Sequence, residues 1–316
     1  MNNSHMKIVI IGAGGQDGRI LTELAKDSGH EVIGVTRNSL KLSASTVPLN
    51  RNLQNSKDMS ELLNEMAPEA VFNVAAIHAP SSQMASLGME RHQEMLETHV
   101  FLTKNILNWQ KYNLKSKSII ALSSQMYTSD KEVKSIDLNS PVNPSSVYGD
   151  TKALAWNEIR KYRKSFGVSA SAAILFNHSS KYSRPDFLFI ELANQILEFM
   201  RGQRESIIIR NANSRIDICD AFEICRGMLS ILDVEPASDY IFSSGMLAVI
   251  SDVINDCFIH LNFDKVPAIH SSSPSETNFG MIGDFSLTKK ILGWEPKKSP
   301  GALLADIVVS LSKNGG

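Results

Sequence analysis

Cysteine is scarce in this sequence, which has only Cys219, Cys225 and Cys257 among 316 residues. Three thiols cannot pair completely, and they form no Cys-x-x-Cys motif and lie beside no histidine-rich run. Such a set is neither the disulfide framework of a secreted domain nor a zinc-binding pattern. We therefore expect no disulfide bond and no bound metal.

Long hydrophobic runs are missing as well. The longest, such as Ile8 to Ile11, are of strand length, whereas a membrane helix needs roughly 20 apolar residues. The stretch Met1 to Met6 is polar and has no apolar segment of the kind found in a signal peptide. These absences predict a cytoplasmic protein that does not associate with membranes.

Charge of one sign is the third absence, because 32 Lys and Arg residues face 33 Asp and Glu residues. A balanced chain creates no global field that would attract nucleic acid or an anionic membrane. We expect neither partner, and any anionic ligand must be held by a local site.

The remaining composition, 43% hydrophobic and 21% charged, excludes disorder, collagen and a coiled coil for the chain as a whole. Apolar strands alternate with helices from Lys7 to Ile11 onward, as far as a strand at Ala170 to Phe176. This order indicates a parallel sheet covered on both faces. We predict an α/β fold, with a Rossmann-type doubly wound parallel sheet over residues 7–176. Residues 177–316 are expected to form mainly a smaller mixed C-terminal substrate lobe, and it stays open whether its segments return to the sheet.

A glycine cluster directly follows the first predicted strand and opens the first predicted helix. It contains Gly12, Gly14, Gly15 and Gly18. Glycines let the backbone turn sharply and approach a pyrophosphate, which the free N–H groups of a helix N-terminus bind. The context predicts a dinucleotide site, and the alternative is a glycine-rich turn without a ligand.

The second predicted strand is not followed by the acidic residue that binds the ribose 2′-hydroxyl of NAD in such sites. Thr36 and Arg37 stand there instead, and a guanidinium pairs with a phosphate through two hydrogen bonds. We predict NADP as the cofactor. The alternative is an Arg37 side chain that points to solvent, with either cofactor bound.

Tyr148 and Lys152 are four residues apart and so lie on one face of a predicted helix. A tyrosine with a pKa near 10 exchanges protons at neutral pH only if a neighbouring positive charge favours its phenolate. Ser123 and Ser124 end a predicted strand at the edge where such sheets bind ligands. They are candidates for hydrogen bonding to a substrate oxygen, although capping or turn formation explains them nearly as well.

These features together resemble the extended short-chain dehydrogenase/reductase family and, within it, the GDP-mannose 4,6-dehydratase family. The resemblance is strong up to His178, weakens beyond it, and recovers between Gly283 and Trp294. It rests on Gly-Gln-Asp-Gly in the turn, Asn73-Val-Ala-Ala, Ser123-Ser-Gln-Met-Tyr127, Pro144-Ser-Ser-Val-Tyr-Gly-Asp-Thr-Lys152 and Ile174-Leu-Phe-Asn-His178.

The resemblance implies hydride transfer at C4 of a nucleotide sugar. Tyr148 would take the proton from the C4 hydroxyl, Lys152 would hold the cofactor ribose and favour the phenolate, and Ser123 would contact the same oxygen. The cofactor contacts implied by the resemblance and by the glycine turn are Gly12, Gly14, Gly15, Gln16, Asp17, Gly18, Arg37, Asn52, Leu53, Ala75, Ala76, Tyr148 and Lys152.

One catalytic position departs from the family. The glutamate that removes the C5 proton and helps expel the C6 hydroxyl as water is Gln125 here, and a primary amide is not a base near neutral pH. Three outcomes stay open. Another base such as His78 or His178 replaces it, the reaction stops at oxidation, reduction or epimerisation at C4, or activity is lost.

The substrate side departs from the family too. An arginine that clamps the diphosphate is Ser273 here, and a second cationic position is Glu191. GDP as the nucleotide is therefore only the expectation that the resemblance brings. The substrate contacts predicted on this basis are His78, Asn177, Arg184, Arg215 and Glu276.

The predicted function is an NADP-dependent nucleotide-sugar enzyme of the dehydratase type. A 4-ketoreductase or epimerase is the alternative because of Gln125. A non-catalytic NADP-binding sensor or scaffold is the alternative of another class. The resemblance also implies a homodimer or homotetramer.

Overall fold

The structure is a computed structural model that describes residues 5–36, 45–48, 51–77, 88–127, 134–273 and 280–314. Its strands are β1 (Lys7–Ile11), β2 (Glu31–Thr36), β3 (Ser45–Pro48), β4 (Ala70–Asn73), β5 (Lys117–Ser123), β6 (Lys134–Ile136), β7 (Ser169–Leu175), β8 (Asn177–Ser179), β9 (Ser206–Ile209), β10 (Arg215–Ile216), β11 (Ile218–Asp220), β12 (Asp239–Phe242), β13 (Ala248–Val249), β14 (Ala268–Ser271) and β15 (Met281–Gly283). Its helices are α1 (Gln16–Asp27), α2 (Ser56–Met66), α3 (Met89–Leu96), α4 (Leu102–Gln110), α5 (Val147–Phe166), α6 (Leu188–Met200), α7 (Ala221–Ser230), α8 (Ile250–His260), α9 (Ser286–Leu292) and α10 (Pro300–Asn314).

Seven parallel strands form the central sheet, in the order β12-β7-β5-β4-β1-β2-β3. β1 lies between β2 and β4, with Ile8 paired to Val32 on one side and to Ala70 on the other. The chain therefore reverses its direction of travel across the sheet at β1. Ligands of open α/β sheets bind beyond the carboxyl ends of the strands at this kind of position.

Both faces of the sheet are covered, as the uninterrupted apolar strands predict. Val9 and Ile11 pack on one face with residues of α2, α4 and α5, including Trp156. Ile8 and Ile10 point to the other face, where they pack with α1 and α7. Alternate residues of one strand thus enter two different cores, which confirms the predicted Rossmann-type doubly wound parallel sheet.

A third core builds the lobe beyond the sheet. Apolar residues of α6, α8 and α10 pack there around Ile207 of β9. Two pairings connect this part of the chain to segments that follow sheet strands: β11 pairs with β8, which follows β7, and β15 pairs with β6, which follows β5. β10 pairs with β13 within the lobe. β12 comes from the same half of the sequence and pairs with β7.

The helix expected from Leu96 to Trp109 begins earlier, at Met89, and contains a π-helical turn over Glu97–Phe101.

Within the described residues, no helix combines the length and the apolar character of a membrane span. The same residues contain no cluster of three or more His, Cys, Asp and Glu side chains suited to a metal ion.

Candidate functional site

A cavity of about 1880 Å³ opens at the carboxyl edge of the central sheet. Its volume exceeds the roughly 300–1,000 Å³ of a typical single-ligand pocket, so it has room for two ligands side by side. Of the residues predicted from the sequence, it is lined by Gly12, Gly14, Gly15, Gln16, Asp17, Asn52, Leu53, Ala75, Ala76, Ser123, Ser124, Gln125, Tyr148, Lys152, Asn177, Arg184 and Arg215.

The glycine-rich turn between β1 and α1 forms one wall. Gly12 has a φ of +92°, and a Cβ there would lie 2.6 Å from the backbone nitrogen of Ala75. Gly18 is not among the lining residues but lies behind the turn, where a Cβ would meet the Gly12 carbonyl oxygen at 2.2 Å. The N-cap of α1 is Gly15, which has no side chain to occupy the first-turn N–H groups. This cradle fits a pyrophosphate.

Three predicted site residues, Arg37, His78 and Glu276, lie outside the described residues. Arg37 directly follows Thr36, which ends β2 and lines the cavity.

Tyr148 and Lys152 lie in the first turns of α5 and line the same cavity. The Ser146 side chain caps this helix by accepting a hydrogen bond from the backbone N–H of Gly149 at 3.1 Å. The Lys152 ammonium donates to the carbonyl oxygen of Ala121 at 2.9 Å and lies 5.8 Å from the centre of the Tyr148 ring. The Tyr148 hydroxyl is hydrogen bonded to Ser123 at the end of β5. The structure thus brings together the three residues of the predicted acid/base group.

Burial shapes the protonation of this group. It raises the pKa of Tyr148, and the hydrogen bond from Ser123 works in the opposite direction by favouring the phenolate. Burial also lowers the pKa of Lys152 to about 8, against the attraction of Asp17. Lys152 therefore stays positively charged near neutral pH and lies close to the phenol.

Asp17 and His178 form a partly buried charge pair that joins the first turn of α1 to β8. The His178 Nδ1 lies 2.7 Å from the Phe176 carbonyl oxygen, and its Nε2 lies 3.1 Å from a carboxylate oxygen of Asp17. Both acceptors require a donor, so both ring nitrogens carry a proton. Burial alone would lower the pKa of His178, but the charge and hydrogen bond of Asp17 raise it. Burial alone would raise the pKa of Asp17, but His178 holds it below its ordinary value.

This pairing bears on one of the two predicted substitute bases, His178, since His78 lies outside the described residues. A doubly protonated His178 has no lone pair with which to remove a proton, so the structure does not support it in place of the family's glutamate. Gln125 lines the cavity between Ser124 and the buried Met126, and its backbone N–H donates to Ser123 Oγ at 3.2 Å. Its amide can donate and accept hydrogen bonds there but cannot act as a base.

The substrate-side predictions lie in the cavity wall with differing exposure. The Asn177 amide donates to the backbone oxygen of Asp217 at 3.0 Å, and Arg184 donates to the Asp186 carboxylate at 3.0 Å. Arg215 is exposed at the start of β10.

Two further lining residues, Arg210 and Asp217, were not singled out in the sequence, and His178 was considered there only as a base. Asp217 is buried and accepts bonds from Ser244 and from the Gly283 N–H. Only His178 had a local signal, its position in the Phe-Asn-His motif.

Comparisons with known proteins agree with this architecture. A sequence model of the family described as GDP-mannose 4,6 dehydratase matches residues 9–307. The GDP-mannose 4,6 dehydratase of Homo sapiens is 21% identical over 346 residues, which cover 95% of this chain and 90% of that protein. GDP-mannose 4,6 dehydratase 1 of Arabidopsis thaliana is 25% identical over 318 residues, or 92% and 85% of the two chains.

Solved structures show the same fold. UDP-glucose 4-epimerase of Thermotoga maritima superposes with a TM-score of 0.83 at 18% identity, covering 98% of this chain and 99% of that one. The dTDP-glucose 4,6-dehydratase of Bacillus anthracis, in complex with NAD, has a TM-score of 0.81 at 17% identity and coverages of 98% and 97%. RMD from Pseudomonas aeruginosa, complexed with NADPH, gives 0.79 at 16% identity and coverages of 98% and 99%. With the match over residues 9–307, these findings establish that the chain belongs to the GDP-mannose 4,6 dehydratase family.

Proposed function

We propose that this protein is a nicotinamide-dependent enzyme that oxidises or reduces C4 of a nucleotide sugar, with Tyr148 as the acid/base. The observation that carries the proposal is that Tyr148, Ser123 and Lys152 lie together in the cavity that the glycine-rich turn also lines. When bound, the nicotinamide supplies the hydride acceptor or donor. The chain's own residues accept and donate the proton.

The proton moves between the Tyr148 hydroxyl and the C4 oxygen. Ser123 holds both oxygens, and Lys152 contributes the positive charge that favours the phenolate. The Asp17 carboxylate opposes phenolate formation. With Lys152 and His178 both protonated, the positive charges outnumber the Asp17 carboxylate.

The cofactor is proposed to be NADP, held by the turn from Gly12 to Gly18, by Asn52, Leu53, Ala75 and Ala76, and by Arg37. The support is the absence of a carboxylate after β2 and the known structures of this fold with NAD or NADPH. Arg37→Ala should weaken NADPH binding about tenfold by removing hydrogen bonds to the 2′-phosphate, and leave NADH binding unchanged.

Fluorescence titration of the wild-type protein and the Arg37 variant with NADPH and with NADH measures the two affinities. Arg51→Ala is the matched control, because the Arg51 guanidinium pairs with Glu65 at 2.8 Å and does not line the cavity. An equal loss for NADH and NADPH in the Arg37 variant would contradict NADP selection.

The substrate is proposed to be a nucleotide sugar, with GDP as the nucleotide because the matched relatives are named for GDP-mannose. Arg184, Arg210 and Arg215 supply cations to the cavity wall for the diphosphate. Asn177, His78 and Glu276 complete the proposed substrate contacts.

Dehydration is the family's reaction, but Gln125 and the doubly protonated His178 favour a second candidate, a 4-ketoreductase or epimerase. Neither reaction needs a base at C5 of the sugar. Both use the same Tyr148 chemistry at C4.

The test is a turnover screen with NADP and NAD against GDP-, UDP-, CDP- and dTDP-sugars, following cofactor absorbance and product mass. Conversion at C4 supports the proposal. Dinucleotide binding without conversion of any sugar would overturn it in favour of a cofactor-binding sensor or scaffold.

We propose that the protein is cytoplasmic and assembles as a homodimer or homotetramer. The subunits would contact each other through α4 and α5. Exposed apolar residues near these helices, Phe101 at 40% and Leu154 at 47% exposure, support this surface. Light scattering on the purified protein gives the mass, and a monomer would contradict the proposal.

A further inference from the structure

A π-helical turn lies where helices α3 and α4 join, over Glu97–Phe101. In the described part of the chain it is the only turn of this kind. Single π turns inside α-helices occur frequently at functional sites. This one carries His99, whose side chain is 2% exposed and lies directly behind the acid/base tyrosine.

Two hydrogen bonds fix the protonation of His99. The backbone N–H of Ile77 donates to Nε2 at 3.1 Å, so this nitrogen carries the lone pair. The proton of the neutral ring is therefore on Nδ1, which lies 2.7 Å from Thr151 Oγ1. The Thr151 hydroxyl accepts from His99 and donates to the backbone oxygen of Tyr148 at 3.0 Å.

The same imidazole contacts the Tyr148 ring. The two ring centres lie 5.1 Å apart and the planes meet at 85°, an edge-to-face arrangement. Ile77 and Met95 pack against Tyr148 on the buried side. His99 thereby links the segment after β4, the first turn of α5 and the ring of Tyr148.

We propose that His99, through Thr151 and by ring contact, is a positioning residue that holds the Tyr148 ring in the orientation needed for proton transfer at C4. The inference rests on the proposed function, because it assigns a support to that function's acid/base residue. A neutral imidazole adds no charge behind the phenol. Its contribution is therefore the fixed geometry, and the charge for phenolate formation comes from Lys152.

The first test compares His99→Phe and Thr151→Val with the wild-type enzyme in C4 turnover. His99→Phe keeps a ring but loses both hydrogen bonds, and Thr151→Val keeps the shape of the side chain but loses the hydroxyl. We expect kcat to fall about ten- to a hundredfold in each, as misplacement of a catalytic group does. The KM for the sugar and the affinity for the dinucleotide should remain unchanged, and Thr151→Ser should restore kcat.

A second readout does not need turnover. The chain has six tyrosines, so ring-labelled tyrosine gives few NMR signals, and Tyr148→Phe assigns the one of interest. Ring flips of Tyr148 should be slow in the wild-type protein and in Thr151→Ser, and faster in Thr151→Val and His99→Phe. This result would support the proposal even if no sugar is turned over, which would overturn only the proposed function.

The control for a general loss of stability is Thr288→Val. Thr288 is buried and donates to the Ile241 carbonyl oxygen at 2.7 Å, away from the cavity. It should lower the melting temperature without changing kcat or the Tyr148 ring flips. The proposal is overturned if the Tyr148 ring flips as slowly in Thr151→Val and His99→Phe as it does in the wild-type protein. Losses that appear only in KM, or equally in the Thr288 variant, overturn it as well.

Discussion

At the scale of single residues, the proposed chemistry depends on the phenol of Tyr148, which is 8% exposed and hydrogen bonded to Ser123. Tyr148→Phe removes the acid/base oxygen and keeps the ring. We expect C4 turnover to fall about 10²–10⁴-fold, the usual contribution of general acid/base catalysis, with dinucleotide binding retained. Single-turnover kinetics and a binding titration measure the two quantities.

The matched control is Tyr127→Phe. Tyr127 lies just beyond β5, the strand that ends at Ser123, and is 2% exposed. Its hydroxyl has no hydrogen-bond partner among the described residues. Removing this oxygen should leave turnover unchanged. Equal losses in the two variants would show that Tyr148 acts through stability and not through its hydroxyl.

The pair of Asp17 and His178 predicts a pH-dependent stability. The pKa of His178 is raised above 6.5, so its contribution is complete below pH 6.5 and is lost as the pH rises through the folded-state value. The pKa of Asp17 is lowered from 3.8, so its contribution is present above pH 3.8 and is lost as the pH falls through its folded-state value. The pair therefore stabilises most between these two ordinary values.

His178→Gln tests this pair by melting curves over a pH series. Breaking a fully buried charge pair costs about 3–5 kcal/mol. This pair is partly exposed, at 17% and 16% of its two side chains, so the loss should lie below that range and the variant should melt at a lower temperature. The difference from the wild type should be largest near pH 5–6, between the two ordinary pKa values, and should shrink at higher pH. A difference that does not vary with pH would contradict a protonated His178.

At the scale of elements, the strand from Lys7 to Ile11 has the predicted bounds because a β-branched run and a glycine turn are local signals. The π-helical turn at Glu97–Phe101 was not predictable in this way. The apolar spacing of the surrounding helix is compatible with an ordinary α-helix. His99 in this turn contacts Ile77 and Thr151, which are 22 and 52 residues away in the sequence. These long-range contacts accompany the extra residue that a π turn inserts into the helix.

The close packing of the glycine turn between β1 and α1 can be tested at Gly18. Gly18→Ala places a Cβ 2.2 Å from the Gly12 carbonyl oxygen, so the turn must shift. We expect a loss of about 3 kcal/mol in the free energy of unfolding, as in overpacked cores, and much weaker dinucleotide binding. Gly88→Ala is the control, since a Cβ there meets nothing within 4 Å and the φ is −67°. Similar losses in both variants would contradict the role of the turn.

At the scale of the whole molecule, the sequence predicted the sheet but only part of the C-terminal lobe. The helices α8 and α10 were not predicted, although Ile250, Val253 and Ile254 have helical spacing. Arg210 and Asp217 enter the cavity through strand pairings between distant segments, such as β10 with β13. No local pattern encodes such contacts, since they form only when the lobe packs.

The glycine turn and the segment after β7 are joined by contacts of the same long-range kind. Ser180 donates to the Gln16 side chain at 3.0 Å, across 164 residues of sequence, and Ser183 bonds to the same oxygen. The glycine turn is thus tied directly to the segment that leads from Asn177 to Arg184. The turn and this segment are therefore built as one unit at the rim of the cavity that Tyr148 and Lys152 also line.

The most direct measurement is the product mass formed by the wild-type protein and by Gln125→Glu from the same nucleotide sugar. A carboxylate at position 125 supplies the base that the amide lacks. The account predicts C4 conversion without loss of water in the wild type, and loss of one water in the variant. Loss of water catalysed by the wild-type protein would contradict it, because a base other than Gln125 and His178 would then have to remove the C5 proton.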